Sequence, residues 1–252
     1  MFKIDNETIL ELKDVTYTYD GERLPIWKSL SCAFYKEKIH AISGPSGCGK
    51  SSVLYLISGL IPHMYEGTVE GRVIYENEDI MDLLPRYRCE HIGLVMQNAE
   101  SQFCTFTVKE ELAFGMENLG FSLEEIETRI QEVLKLVGME GYEEVDLNNL
   151  SGGQKQKIAI ASVLVTKPKI LLLDEPTANL DPVSRKQVLD LIVRISRTEK
   201  ITVIIVEHNI GEIWDEVDHV LVLDREGNLE INCAKDSPES AAWRARNEAD
   251  LH

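Results

Sequence analysis

Cysteine is sparse and unpatterned in these 252 residues: Cys32, Cys48, Cys89, Cys104 and Cys233 are odd in number and never in C-x-x-C spacing. Neither a disulfide framework nor a zinc site is suggested, and a reducing cytosol fits best. Long apolar runs are missing as well. A run such as Ile170 to Leu173 falls far short of the roughly 20 residues that cross a bilayer, and the start MFKIDNETILEL lacks the apolar core of a signal peptide. The chain therefore reads as soluble by itself. Positive charge is in deficit, with 26 Lys and Arg against 43 Asp and Glu for a net charge of −17. No local basic patch offsets this, so nucleic acid is excluded as an expected partner. Internal repeats and low-complexity tracts are also lacking.

What is present is an alternation of short apolar, β-rich runs with helical patterns, as in a parallel sheet flanked by helices. The strand candidates are Ile39 to Ser43, Ile92 to Met96, Ile170 to Leu173, Thr202 to Val206 and Val220 to Leu223. The first 35 residues, with the alternation ILELKDVTYTY, and Gly67 to Tyr75 read instead as antiparallel strands. Thr107 with Glu110, and Ser122 with Glu125, have the spacing of capping boxes that start two helices. The second helix lines up Ile126, Ile130, Val133, Leu134 and Val137 and ends at Gly138. Residues from about 98 to 165 thus read as a helical insert in an α/β core, and residues 234–252 as a polar surface turn followed by a loose or helical end.

Two stretches point to phosphate. Gly44, Pro45, Ser46, Gly47, Cys48, Gly49, Lys50, Ser51 and Ser52 contain G-x-x-x-x-G-K-S between the apolar run KIHAIS and the helical run SVLYLISGL. That strand-to-helix position is where glycine N–H groups cradle phosphates, a lysine neutralises the outer ones and a serine hydroxyl reaches Mg²⁺. KILLLDEP supplies a buried strand ending in Asp174, a candidate second Mg²⁺ ligand, and Glu175, a candidate general base for an attacking water. The second stretch is LSGGQKQK. Its Ser151, Gly152, Gly153 and Gln154 describe a helix N-terminus with bare backbone N–H groups.

LSGGQ downstream of the P-loop and just ahead of LLLDEP makes the chain resemble ATP-binding cassette (ABC) ATPases over essentially its whole length. The resemblance implies one domain over residues 1–252 with a P-loop, RecA-like nucleotide core, an antiparallel β portion and the helical insert. It implies ATP and Mg²⁺ as cofactors and a head-to-tail pair, of the same chain or a paralogue, in which Ser151 to Gln154 and Asp181 reach the partner's ATP. This would explain two phosphate sites in one chain. By the same resemblance Tyr19 stacks on adenine, although Tyr17 shares its parity along the strand. Gln97 senses Mg²⁺ and water, and His208 contacts the γ-phosphate. Glu207 departs from the family pattern, where a small hydroxyl residue often precedes the histidine.

The stretch VMQNAESQF is similar to the V-x-Q-N-x-x-x-Q-[FL] pattern of energy-coupling factor ATPases, the motor subunits of cobalt and vitamin importers. This resemblance implies an integral membrane partner, peripheral attachment at the cytoplasmic face of the cell membrane, and Gln102, Phe103 and Phe106 as residues coupled to that partner. A conventional ABC importer ATPase, one half of a tandem two-cassette protein, and a soluble ABC ATPase acting outside transport are the alternatives.

Overall fold

The structure is a computed structural model that describes residues 7–207 and 210–247. From the amino end, β1 (Thr8–Tyr19), β2 (Trp27–Tyr35) and β3 (Ile39–Ser43) lead into α1 (Lys50–Ser58) and the short α2 (Leu60–His63). Next come β4 (Gly67–Tyr75), β5 (Glu78–Asp79), α3 (Pro85–His91) and β6 (Ile92–Val95). The helices α4 (Val108–Asn118), α5 (Leu123–Val137) and α6 (Gly152–Leu164) fill the segment expected as an insert. The chain then returns through β7 (Ile170–Asp174), α7 (Pro182–Glu199), β8 (Thr202–Val206), β9 (His219–Leu223), β10 (Leu229–Ala234) and α8 (Pro238–Asn247).

Two sheets form. The apolar runs make a six-stranded sheet in the order β10-β9-β3-β8-β7-β6, parallel except for the β10 edge. Every residue of β3, β7 and β8 is buried, as parallel strands covered on both faces require. The period of two divides them between two cores. Ile39, Ala41, Leu171, Leu173, Val203 and Ile205 face α4 to α7, whereas Ile42, Ile170, Leu172, Ile204 and Val206 face α1 and the second sheet. That second sheet, β2-β1-β4-β5, is antiparallel, as the alternation in β1 predicts. The edge strand β10 escapes the sequence reading because Ile231 is its one buried residue and no continuous apolar run marks it.

The helix signals are realised unequally. At α4 both bonds of the Thr107–Glu110 capping box are made. At α5 only Ser122 caps, accepting from the Glu125 N–H, because the Glu125 carboxylate turns to Arg129 one turn further on, at 2.9 Å. The five apolar residues expected on the inner face of α5 are all buried. Helix α6 anchors the insert to the core: a Cβ on Gly93 of β6 would lie 1.9 Å from Val163 Cγ1, so only glycine lets this helix lie against the strand. Among the described residues, no helix is long and apolar enough to cross a membrane.

The carboxy-terminal stretch is less polar in its role than in its composition. It turns and forms α8, and Trp243, only 5% exposed, stacks on Trp214 with centroids 6.2 Å apart. Arg244 lies over the same Trp214 ring. Residues 248–252 lie outside the described residues. Trp243→Ala should therefore cost about 3 kcal/mol of stability, read as a lowered urea midpoint. An unchanged midpoint would show that α8 does not dock on the core.

Candidate functional site

Parallel strands in register bring their carboxyl ends to one edge, and the chain segments leaving β3, β6, β7 and β8 carry the candidate site there. After β3 the loop runs through Gly44, Gly47 and Gly49 at φ of 146, 83 and 96°, values open to glycine. A Cβ on Gly49 would lie 2.3 Å from the indole nitrogen of Trp27, and one on Gly44 2.5 Å from the Leu223 carbonyl oxygen. The loop is thus pressed onto the core at both ends, while Pro45, Ser46 and Gly47 face solvent. Gly49 starts α1 without a side-chain cap. Cys48 and Lys50 are buried, and the Lys50 ammonium donates to the Gly44 and Pro45 carbonyls at 2.8 and 3.0 Å. The cation is therefore already inside the ring that phosphates enter.

The next strands supply oxygen. Asp174, 2% exposed, accepts from the Ser51 hydroxyl at 2.7 Å and from the Tyr55 hydroxyl at 2.9 Å. Glu175 turns the chain with a left-handed backbone, φ 45°, and its N–H donates to the Val206 carbonyl of β8. Such a conformation in a non-glycine residue is costly and is found where surrounding structure enforces it. The Glu175 carboxylate accepts from Gln97 Nε2 at 2.6 Å, joining β7 to the loop after β6. These residues fit ATP with Mg²⁺: a glycine cradle, one lysine, and a hydroxyl with a carboxylate as hard oxygen donors. Among the described residues no cluster of three or more His, Cys, Asp or Glu can hold a metal ion.

Other residues named from the sequence fall in three places. Tyr19, half-buried at the end of β1, bonds its hydroxyl to Ser52 at 2.6 Å and so borders the loop, whereas Tyr17 is fully buried and bonds to the Tyr65 carbonyl. Ser151 and Gln154 cap α6 reciprocally, leaving Ser151 and Gly152 exposed at its tip. Gly153 is buried against Ser184 at the start of α7, whose N-cap is Asp181. The Ser184 hydroxyl first, and then the Ser184 and Val183 N–H groups, hold the Asp181 carboxyl below the usual carboxylate range. Gln102 is spent on the strand, accepting from Met96 N–H and donating to the Leu94 carbonyl, and Phe103 packs half-buried on the core. Phe106 is 75% exposed. His208 lies outside the described residues.

A family model described as ABC transporter matches residues 27–178. The chain belongs to the ABC transporter ATP-binding family. An ABC transporter ATP-binding protein of Pyrococcus horikoshii is 42% identical over 86% of this chain and 76% of its own length. One of Methanosarcina mazei is 37% identical, but the chain spans only 37% of that protein's length. Among solved structures, cbiO1 of Clostridium perfringens, part of the ABC transporter complex cbiONQ, is 29% identical and covers 96% of each chain with a TM-score of 0.82. A dimeric ATP-binding cassette in a post-hydrolysis state with ADP and Pi is 28% identical, covering 91% of this chain and all of that one, with a TM-score of 0.77. As an ABC ATPase the chain binds ATP with Mg²⁺ and couples its hydrolysis to transport; members of the family dimerise and work with membrane components.

Three residues of this ABC ATPase edge escaped the sequence reading. Tyr55 sits one helical turn after Ser51, and that i, i+4 spacing was the only signal. Glu111, buried on α4, accepts from Cys104 N–H, Thr105 N–H and the Thr105 hydroxyl and so fixes the loop beyond Gln97. Nothing in its sequence context marks this. Thr177 donates to Glu207 at 2.9 Å, so the carboxylate that departs from the family pattern points into the turn after Glu175. A cavity of about 160 Å³ lined by Thr177, Ala178, Arg185, Leu189, Glu207, Glu212 and Ile213 adjoins it.

Burial pushes Glu207 up to about 7; the Thr177 bond opposes this, and the charges of Glu175 and Glu212 reinforce it against Arg185. An acid raised in the folded state holds a proton that the unfolded chain has released. Its contribution to stability therefore falls as pH rises from its ordinary value of 4.5 to about 7, then levels off. Glu207→Gln should gain on the wild type across that window, by up to roughly 3 kcal/mol at pH 8. Urea unfolding of both proteins at pH 5 and 8 checks it, and a difference that does not grow with pH would refute the assignment.

Proposed function

We propose that this ABC ATPase is the ATP-hydrolysing subunit of an energy-coupling factor importer for a small nutrient, attached peripherally at the cytoplasmic face of the cell membrane. The observation that carries the reading is its likeness to cbiO1 over 96% of both chains, joined by the VMQNAESQF segment on the loop that leaves β6. In this reading Tyr19 receives adenine, the loop Gly44 to Ser52 holds the phosphates, and Ser51, Asp174 and Gln97 face the Mg²⁺. The metal's contribution is to neutralise charge on the phosphates. Glu175 accepts a proton from water as the water oxygen bonds to the γ-phosphorus and the bond to the bridging oxygen of ADP breaks, releasing phosphate. Gln97 holds the Glu175 carboxylate in place for that transfer, and His208 is assigned contact with the γ-phosphate by the family resemblance alone.

The second cassette, a copy or a paralogue, docks on the tip of α6, so that Ser151, Gly152, Gly153 and Gln154, with Asp181, meet its ATP. Gly152 is the position that tests this. A Cβ there would meet only Leu180 Cδ2 at 3.5 Å, an ordinary contact, whereas one on Gly153 would press on Ser184 at 2.9 Å. Gly152→Asp should leave ATP binding to the monomer within about twofold, while hydrolysis falls by roughly 10² as a carboxylate meets the partner's γ-phosphate. Equal loss of both, measured by nucleotide titration and phosphate release, would mean that α6 serves its own nucleotide.

Phe106 and Phe114, 75% and 44% exposed, border a hollow of about 470 Å³ with Cys104, Lys109, Ala113 and Glu117. A helix of the membrane partner fits this reading as the occupant, with the two rings as anchors. Since Gln102 and Phe103 are committed to the fold, the coupling test moves to the exposed pair. Phe106→Ala with Phe114→Ala should leave basal ATPase within about twofold and lower substrate uptake per ATP at least fivefold in vesicles containing the copurified membrane partner. Unchanged uptake per ATP would remove this surface from coupling.

A further inference from the structure

The buried carboxylate of Asp174 is held at both oxygens by one helix. Oδ1 accepts from the Ser51 hydroxyl at 2.7 Å and Oδ2 from the Tyr55 hydroxyl at 2.9 Å. Ser51 and Tyr55 lie four residues apart on α1 and so share a face one turn apart. The Tyr55 ring is itself held: it stacks on Tyr65 with centroids 5.1 Å apart and planes 7° from parallel, and the Tyr65 carbonyl accepts from the buried Tyr17 hydroxyl at 3.1 Å. A phenol fixed in this way is a rigid donor that loses little freedom in holding the acid.

We propose that Tyr55 is a positioning residue for magnesium binding, which fixes the rotation of the Asp174 carboxylate so that Oδ1 stays toward Ser51 and the cation. The terminal torsion of an aspartate is broad and close to twofold. With only Ser51 as donor, either oxygen can take the bond and the plane of the acid can swing. A donor at the second oxygen removes that freedom before the metal arrives, which is the part of binding that pre-organisation improves. The inference rests on the reading of Asp174 as a magnesium-facing residue. It predicts a defect in the metal step alone, because Tyr55 bonds to the acid and Ser52, one turn earlier on the helix, bonds to Tyr19 instead.

Tyr55→Phe retains the ring and its stack on Tyr65 and removes only the hydroxyl. The Mg²⁺ concentration for half-maximal ATPase should rise five- to tenfold, with kcat at saturating Mg²⁺ within about twofold and metal-free ATP affinity unchanged. A second readout is independent of turnover. Titration of Mn²⁺ in the presence of a non-hydrolysable ATP analogue, followed by loss of the free-ion electron paramagnetic resonance signal, should show the same five- to tenfold weakening. Thermal melts of the metal-free proteins check that both are folded, and Tyr55→Leu, which likewise offers the acid no donor, serves if the phenylalanine variant melts early. Asp174→Asn separates the two readings. If it weakens Mn²⁺ binding and Tyr55→Phe does not, the positioning role is wrong and the magnesium site stands. If neither changes Mn²⁺ binding, the magnesium reading of Asp174 fails with it.

Discussion

The hydrogen bond between the Ser51 hydroxyl and Asp174 joins two chain segments 123 residues apart, and the arrangement of the site depends on it. A carboxylate only 2% exposed is tolerated when its oxygens are bonded. Meeting that demand fixes where α1 begins relative to the end of β7. With β3 and β7 separated by β8 alone, the loop that starts α1 is held over the same sheet edge on which Asp174 and Glu175 emerge. Displacing either strand by one residue would turn the acid into a core and the core residue into the site.

Carboxylates gather at that edge: Asp174, Glu175 and Glu207 are all buried there, with Lys50 as the buried lysine of the loop. A divalent cation offsets the repulsion between these carboxylates and the negative charges of a nucleotide, which fits a magnesium-dependent enzyme built on an acidic chain. Burial first, and then the charges of Glu175 and Glu212, let Glu207 retain its proton to a higher pH than an ordinary glutamate, against the bond from Thr177.

The route from this edge to the helical segment is also chemical. Glu175 is bonded to Gln97, and the chain beyond Gln97 is held at three points: Gln102 on β6, Glu111 on residues 104 and 105, and Lys155 of α6 on Glu100 at 2.7 Å. Hydrogen bonds and an ion pair thereby connect Gln97 to α4 and α6, close in the chain to the exposed Phe106 and Phe114.

Local signals suffice for much of this molecule. G-x-x-x-x-G-K-S, LLLDE and LSGGQ specify backbone conformation and charge within a few residues, and the apolar runs specify strands because a strand buried on both faces has no polar position to spare. The cap of α4 and the Ser122 cap and buried face of α5 follow from spacing alone, whereas the reciprocal Ser151–Gln154 cap of α6, a helix end the sequence leaves bare, appears only in the fold. Tertiary structure decided the rest. Whether Tyr17 or Tyr19 borders the loop depends on which ring the second sheet buries, and both satisfy the same alternation. The sequence offers Gln102 only as a residue coupled to a membrane partner, and its bonds to the Met96 N–H and the Leu94 carbonyl appear only in the fold. Trp243 stands in a polar stretch, and its stacking on Trp214, distant in sequence, appears only in the fold. The partnership of Tyr55 with Asp174 and of Glu207 with Thr177 likewise exists only once strands β7 and β8 lie side by side, because a hydrogen bond is set by distance in space and its sequence separation leaves no periodic trace.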